Sequence, residues 1–382
     1  MEFLTGLGGG FLSILFYVAA FLVALTVIVF VHEFGHFQAG RFFRVRVETF
    51  SIGFGRAMTS WTDSKGTLWK VGWLPLGGYV KFWGDEGAAS TPDRARIAHI
   101  KTADDSSACF HLKPIWQRAI IVAAGPVANF ILAIVIYAAL LSTVGEARLE
   151  PRIAEVIEGT PAAEAGFQPG DLIRAIDGNP IDDFIELRRY VVLRDGDEMR
   201  FDVERDGKTI SLVAAPRRAE LTDGMGNKMQ GGQLGIRPVV DDSAITYVRY
   251  DPFTALWEGT VTTYRFSVDT LTYLGRMIVG KGDVSQLSGP AGIAKAAGDA
   301  AAVGPLFFIN LIAVLSISIG LINLFPIPML DGGHLVYYAI EGVRGEPLGE
   351  RAQEIGFRMG LAFVLCLMIF ATLNDLGKFG LF

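Results

Sequence analysis

Between Phe11 and Val31 the chain carries no charged residue, and this run, FLSILFYVAAFLVALTVIVFV, leads straight into HEFGH at His32–His36. A helix rises 1.5 Å per residue, so about 20 such residues cross the hydrocarbon of a bilayer. A segment in lipid must satisfy its own backbone polar groups, which leaves it little choice but helix. A metal-binding pattern therefore stands at the end of a membrane span. Two histidines and a glutamate are costly at membrane depth, where ionisable groups mark function.

Residues four apart lie on nearly the same helix face, so His32 and His36 can offer two imidazoles to one ion. Glu33, beside the first, has the place of a general base, and the implied metal is Zn2+. The chain has only five histidines, so this pair is not an incidental match. A catalytic zinc usually takes three protein ligands and keeps one position open. The longer HExxHxxGxxH pattern fails, because Ala39 and Phe42 stand at its Gly and His positions. Two candidates for the third ligand remain. Glu48 follows a basic, β-branched stretch that leaves the helix. Asp331 closes a distant apolar segment, Asn323-Leu-Phe-Pro-Ile-Pro-Met-Leu-Asp-Gly-Gly-His334.

Four stretches are long and apolar enough to span: about Phe11–Val31, Ile115–Leu141, Leu306–Phe325 and Phe357–Leu373. The first is too long for a cleavable signal and has no basic residue before it. Lys and Arg gather after the first span (Arg41, Arg44, Arg46, Arg56, Lys65, Lys70, Lys81) and after the third (Arg344, Arg351), which places those loops in the cytoplasm. The metal site then lies towards the cytoplasmic side, and the large middle insert lies outside. With 51% hydrophobic residues and a net charge of −6, the chain gives nucleic-acid binding no electrostatic support. Cys109 and Cys366 lie in dissimilar settings, polar loop and apolar helix, so no disulfide is expected.

Residues Val45–Lys81 alternate and are rich in aromatics, predicting strands joined by a turn at Asp63-Ser-Lys-Gly66. Residues Gly84–Lys113 are small and polar and are expected as a cytoplasmic loop, with His99 and His111 solvated. Charges are sparse from Asp251 to Met277, and the helical apolar spacing there predicts an amphipathic helix on the membrane. Gly289–Ile293 is expected as a loop ahead of the third span.

These motifs together resemble the site-2 protease family of intramembrane zinc metalloproteases, in its bacterial RseP-type form. The likeness rests on HEFGH, on Asn323–Gly333 (pattern NxxPxxxLDG), on Gly125-Pro126-Val127-Ala128-Asn129, on Pro75–Lys81 and on Ser51–Gly55. It implies that His32, His36 and Asp331 bind zinc, that Glu33 is the catalytic base, and that Asn323, Pro326 and Asn129 receive the substrate helix. Residues from Ile153 to Gly178 resemble the opening of a permuted PDZ domain. This chain has room for one such domain where the best-known members carry two.

The implied fold is a polytopic α-helical membrane protein with four transmembrane helices, a membrane-associated β element and an inserted α+β PDZ domain. The expected divisions are 1–44 (first helix), 45–113 (β element and loop), 114–145 (second helix), 150–240 (PDZ domain, periplasmic), 241–304 (amphipathic helix and loop), 305–333 (third helix with LDG) and 334–382 (loop and fourth helix). The implied activity is endoproteolysis of single-pass transmembrane proteins in the bilayer of a bacterial inner membrane. Such substrates are anti-sigma factors or remnant signal peptides, taken after an upstream protease has cut outside, as in regulated intramembrane proteolysis. A membrane scaffold with a vestigial zinc site, a metal transporter and a tethered soluble-type peptidase are the rival readings. Few further ionisable residues lie in the spans, which counts against transport.

Overall fold

The computed structural model describes residues 2–87, 92–100, 106–222, 228–239, 245–280 and 287–378. The chain divides into two units: Met1–Tyr137 with Gly259–Ser267 and Leu287–Phe382, and Ala138–Glu258 with Val268–Gln286. Among the described residues four helical stretches are long and apolar enough to cross a membrane: Leu12–Phe42, Ile115–Thr143, Pro305–Leu324 and Arg351–Gly377.

Helix α1 (Glu2–Phe42) continues past the apolar run, so HEFGH lies within it rather than beyond its end. The chain then forms an antiparallel hairpin, β1 (Val47–Thr62) and β2 (Leu68–Phe82), whose register slips at several points. Asp63 organises the turn. Its carboxylate accepts the Lys65 and Thr67 amides at 2.9 and 3.0 Å, Trp69 Nε1 at 3.2 Å, and the Arg41 guanidinium of α1 at 2.5 Å. Phe50, Val80 and Phe82 bury one face of the hairpin together with Phe37 of α1 and Phe110.

The described residues of the polar stretch after β2 do not form a solvated loop; 88–91 and 101–105 of the expected loop lie outside the described residues. Asp85 is fully buried, accepting the Phe82 amide at 2.8 Å and facing Nε2 of His111 at 2.7 Å. Cys109 and Phe110 are buried as well, and α2 (Arg94–Ile100) adds Ile97 and Ile100 to the same small core. A buried carboxylate requires partners, and His111 is recruited as one. His99 is exposed, and both cysteines are free. Helix α3 (Ile115–Thr143) follows, with Pro126 inside it.

In the second unit β3 (Glu146–Leu149) pairs with β12 (Ile245–Val248). Between them run β4 (Ile153–Val156), α4 (Pro161–Ala165), β5 (Leu172–Ile176), β6 (Asn179–Pro180), α5 (Phe184–Leu193), β7 (Met199–Arg205), β8 (Lys208–Ala214), β9 (Arg217–Thr222), β10 (Lys228–Gln233) and β11 (Ile236–Pro238). The main sheet has the order β6-β5-β7-β8, while β11 pairs with β4 and β10 with β9. Asp206 and Gly207, both at positive φ, make the tight β7–β8 turn. Ile153, Ile173, Ile176, Leu187, Phe201 and Val203 fill the core, each contributing about 1.5–3 kcal/mol of burial. Helix α6 (Pro252–Ile278) starts at Asp251, whose side chain caps the Phe253 and Thr254 amides. Glu258, Arg265, Asp269 and Arg276 share one side of it by spacing; Asp269 pairs with Arg189, and Arg276 with Asp195 and Asp197.

The segment expected as a loop at Gly289–Ile293 begins a helix, α7 (Pro290–Val303). It lies along α1: Gly298 sits under the Tyr17 ring, whose hydroxyl donates to Asp299 at 2.7 Å. The carboxylate of buried Asp375 accepts the Gly292 amide at 2.7 Å. Helix α8 (Pro305–Leu324) stops well before the LDG motif, which instead opens a separate helix, α9 (Asp331–Arg344); α10 (Glu350–Lys378) ends the described chain.

Candidate metal centre

His32 and His36 are nearly buried on one face of α1, and their Nε2 atoms are 3.3 Å apart. Oδ2 of Asp331 is 3.1 Å from Nε2 of His32 and 3.5 Å from that of His36. One donor atom from each of the three lies within 4.8 Å of the others. Glu48 lies elsewhere, paired with Lys81 at 3.4 Å and with Arg96.

The path that brings Asp331 to the histidines is dictated by local backbone chemistry. Pro326 and Pro328 donate no hydrogen bond and restrict the residues before them, so α8 cannot run on to Asp331. Met329 turns the chain at φ 86, in the left-handed region where a non-glycine residue is strained. Helix α9 then folds back on the end of α8. A Cβ on Gly332 would collide with the carbonyl oxygens of Leu324 and Phe325, and one on Gly333 would stand 2.7 Å from Cα of Pro328. Both glycines after Asp331 are therefore required by contact. Gly360 of α10 meets the Pro328 carbonyl in the same way.

Helix α3 packs on the other side of the histidines. Nδ1 of His36 is 2.9 Å from the Ile121 carbonyl, which fixes the proton on Nδ1 and leaves Nε2 as the free lone pair. Asn129, fully buried, lies 3.3 Å from Nδ1 of His32. Gly125 gives the room for His36: a Cβ there would stand 2.5 Å from Cε1 of the ring and closer still to Nε2.

Glu33 projects towards the hairpin, where the Val80 amide hydrogen-bonds its carboxylate. A Cβ on Gly78 would be 3.0 Å from Cγ of Glu33 and 2.8 Å from the Ser51 carbonyl, so β2 lies directly against the glutamate. His32, Glu33, His36, Asn323 and Asp331 line one cavity of about 210 Å³, with Tyr79, His334 and Tyr338. Pro326 is in the connecting loop and Asn129 is behind His32; neither lines that wall. None of Tyr79, His334 and Tyr338 is among the expected site residues, although Tyr79 stands inside the Pro75–Lys81 motif and His334 lies three residues from Asp331; Tyr338 carried no signal.

The donor set fits zinc. Two imidazole nitrogens and one carboxylate oxygen converge, and Oδ2 of Asp331 is buried with no well-formed hydrogen bond to hold it there. Helices of membrane-crossing length, an HExxH pair and a distant aspartate define a membrane zinc peptidase. The chain belongs to Peptidase family M50, the site-2 protease family, whose pattern it matches over residues 20–367. It is 42% identical to the metalloprotease MmpA of Caulobacter vibrioides, over 98% of each chain. It is 45% identical to a protein of Agrobacterium fabrum whose name describes it as a zinc metalloprotease, over 95% of this chain and 96% of that one. It is also 25% identical to the PDZ domain of an SdrC-like protein from Listeria monocytogenes, over 23% of this chain and 85% of that one, with a TM-score of 0.19.

Proposed function

We propose that this zinc metalloprotease cuts the membrane-spanning segments of single-pass proteins, with His32, His36 and Asp331 holding the zinc and Glu33 as general base. The convergence of three donors from α1 and the start of α9, beside a glutamate in a polar cavity, carries the reading. Bound zinc supplies Lewis acidity, polarising the scissile carbonyl and acidifying a water. Glu33, adjacent to His32 and held by the Val80 amide, receives the proton of that water and passes it to the leaving amine. Asn323 and Pro326 receive the substrate, which must be unwound to present a carbonyl. The irregular backbone between α8 and α9 is compatible with membrane depth only because it lines a wet cavity or is buried in protein.

Residues 150–240 are read as a single PDZ domain on the periplasmic side, and the metal centre as lying towards the cytoplasmic side. The basic residues after the first and third spans support that orientation. The strand β11 beside β4, together with α5, is the framework such domains use to bind peptides by strand addition or to bar bulky ones. The substrates are single-pass proteins, such as anti-sigma factors or remnant signal peptides, already shortened outside the membrane by another protease.

Reconstitution in lipid vesicles with a panel of single-pass helices tests the reading. Wild type should cleave a subset and stop on addition of a chelator, while Glu33→Gln should bind zinc and not cleave. Chelator-insensitive cleavage that survives Glu33→Gln would overturn it.

A further inference from the structure

Asn129 is fully buried in α3, and as placed its Nδ2 lies 3.3 Å from Nδ1 of His32. Its Oδ1 is buried too and accepts no hydrogen bond. That placement is unfavourable at both ends. A neutral imidazole has one N–H and one lone pair, on different nitrogens. His32 turns Nε2 towards Asp331 and His36, at 3.1 and 3.3 Å. If Nε2 gives its lone pair to zinc, the proton sits on Nδ1 and needs an acceptor. An amide NH2 offers only donors. The two ends of an asparagine amide are nearly isosteric, and hydrogen-bond chemistry decides between them. A half-turn about Cβ–Cγ leaves the packing unchanged, replaces a donor facing a donor with an N–H···O bond, and gives the stranded oxygen its partner.

We propose that Asn129 is the positioning residue for His32: its amide oxygen accepts Nδ1–H and holds the tautomer that leaves Nε2 free for zinc. This rests on the reading of His32 as a zinc ligand. It gives Asn129 a different task from the substrate-receiving one implied by family resemblance. His36 has the equivalent arrangement, its Nδ1 meeting the Ile121 carbonyl of the same helix at 2.9 Å. The main chain of Asn129 is itself fixed by α8. Ser316 Oγ donates to the Asn129 carbonyl at 2.8 Å, and side-chain-free Gly320 leaves room for its Cβ.

The test is zinc affinity of the full-length protein in detergent or vesicles, by competition with a fluorescent chelator. Cobalt-substituted absorption spectra report the ligand field independently of turnover. Asn129→Leu, similar in size but without an acceptor, should bind zinc roughly 10–100-fold more weakly, as when outer partners of metal-bound histidines are removed. Asn129→Asp, which keeps an acceptor at the same place, should restore affinity and the wild-type cobalt spectrum. Equal zinc affinity in Asn129→Leu with only a raised KM would overturn the proposal in favour of substrate contact. Failure of Asn129→Asp to restore affinity, in a protein that melts as wild type does, would overturn it too. His32→Ala separates the two levels: if it alone loses zinc, the ligand reading stands and Asn129 has no part in it. If His32→Ala binds zinc as wild type does, the ligand reading itself is wrong.

Discussion

Gly125→Ala adds one methyl group to the middle of a helix, a change that normally stabilises by about 0.5–1 kcal/mol. Here the opposite is expected. The new Cβ would stand 2.5 Å from Cε1 of His36 and closer to Nε2, whereas ordinary contact begins near 3.4 Å. Either the imidazole or the helix must therefore retreat by more than about 0.9 Å. The ring cannot swing freely, because its Nδ1 is tied to the Ile121 carbonyl of α3 itself at 2.9 Å. The helices cannot part cheaply, because Gly35 of α1 already lies against the Ala124 carbonyl and would place a Cβ 2.8 Å from that of Ala128. Overpacking of this kind costs about 1–3 kcal/mol. Zinc–ligand distances tolerate only about 0.2 Å of error, so on the proposed reading of His36 as a ligand its displacement amounts to a weakened or lost bond. The variant should bind zinc at least 10–100-fold more weakly, the scale seen when a ligand's support is removed. Its melting temperature should fall. Chelator competition and a thermal melt of the same detergent-solubilised sample measure both. Wild-type zinc affinity together with a raised melting temperature would refute the contact argument.

Two further outcomes follow from groups outside the spans or at their ends. Asp63 is pushed up by burial but drawn down more strongly by hydrogen bonds from Thr67, Trp69, Lys65 and Arg41, to about 2. Its folded value lies below its unfolded one, so its contribution is complete above pH 4 and fades as pH falls towards 2. After allowance for solvent screening it amounts to about 1 kcal/mol; protection of the hairpin-turn amides, taken against intrinsic exchange at each pH, should fall across that window in wild type but not in Asp63→Asn. Arg118 of α3 meets Glu341 of α9 at 2.6 and 3.1 Å, both nearly buried, with Tyr338 under the guanidinium. Glu341→Ala should cost about 3 kcal/mol in a thermal melt by stranding the arginine, whereas a loss within 0.5 kcal/mol would show the pair to be solvated.

Legibility in the sequence varied with how local the cause was. HEFGH needs only helical spacing, and the Asp63–Gly66 and Asp206-Gly207 turns need only their own residues, so each is visible from a few letters. The expected third span ends at Phe325, and α8 stops one residue earlier, at Leu324, because two prolines follow; what no local signal gave is the left-handed Met329 and the packing of α9 against the α8 carbonyls. Helix α7 escaped notice for a different reason. Its alanines and glycines form no apolar stripe, and its burial comes from close approach to α1, with Gly298 under Tyr17. His111 looked solvated because its neighbours are polar. Its partner, Asp85, lies 26 residues away and is buried by β-hairpin and loop packing that no spacing rule encodes.

The part of the centre whose task was least legible is the part that contributes no donor. Helix α3 offers neither a histidine nor a carboxylate to the zinc, yet both imidazoles turn their Nδ1 atoms towards it. Ile121 supplies a main-chain carbonyl that any residue would carry, so no letter in the sequence could announce it. Gly125 acts by lacking a side chain, and Asn129 by one buried amide beside His32. Pro126, between them, removes a helical donor next to the point of closest approach, and Gly320 of α8 comes close to its carbonyl from the other side. On the proposed zinc reading, a Gly-Pro-x-x-Asn run in a membrane helix has a task that needs no contact to substrate. The small residue sets the distance, the amide sets the tautomer, and α8, which leads to Asp331, is held against the same turn. The donors on α1 and α9 that the proposed zinc would take are thus set against one helix, α3, which meets α1 at His36 and α9 through Arg118 and Glu341.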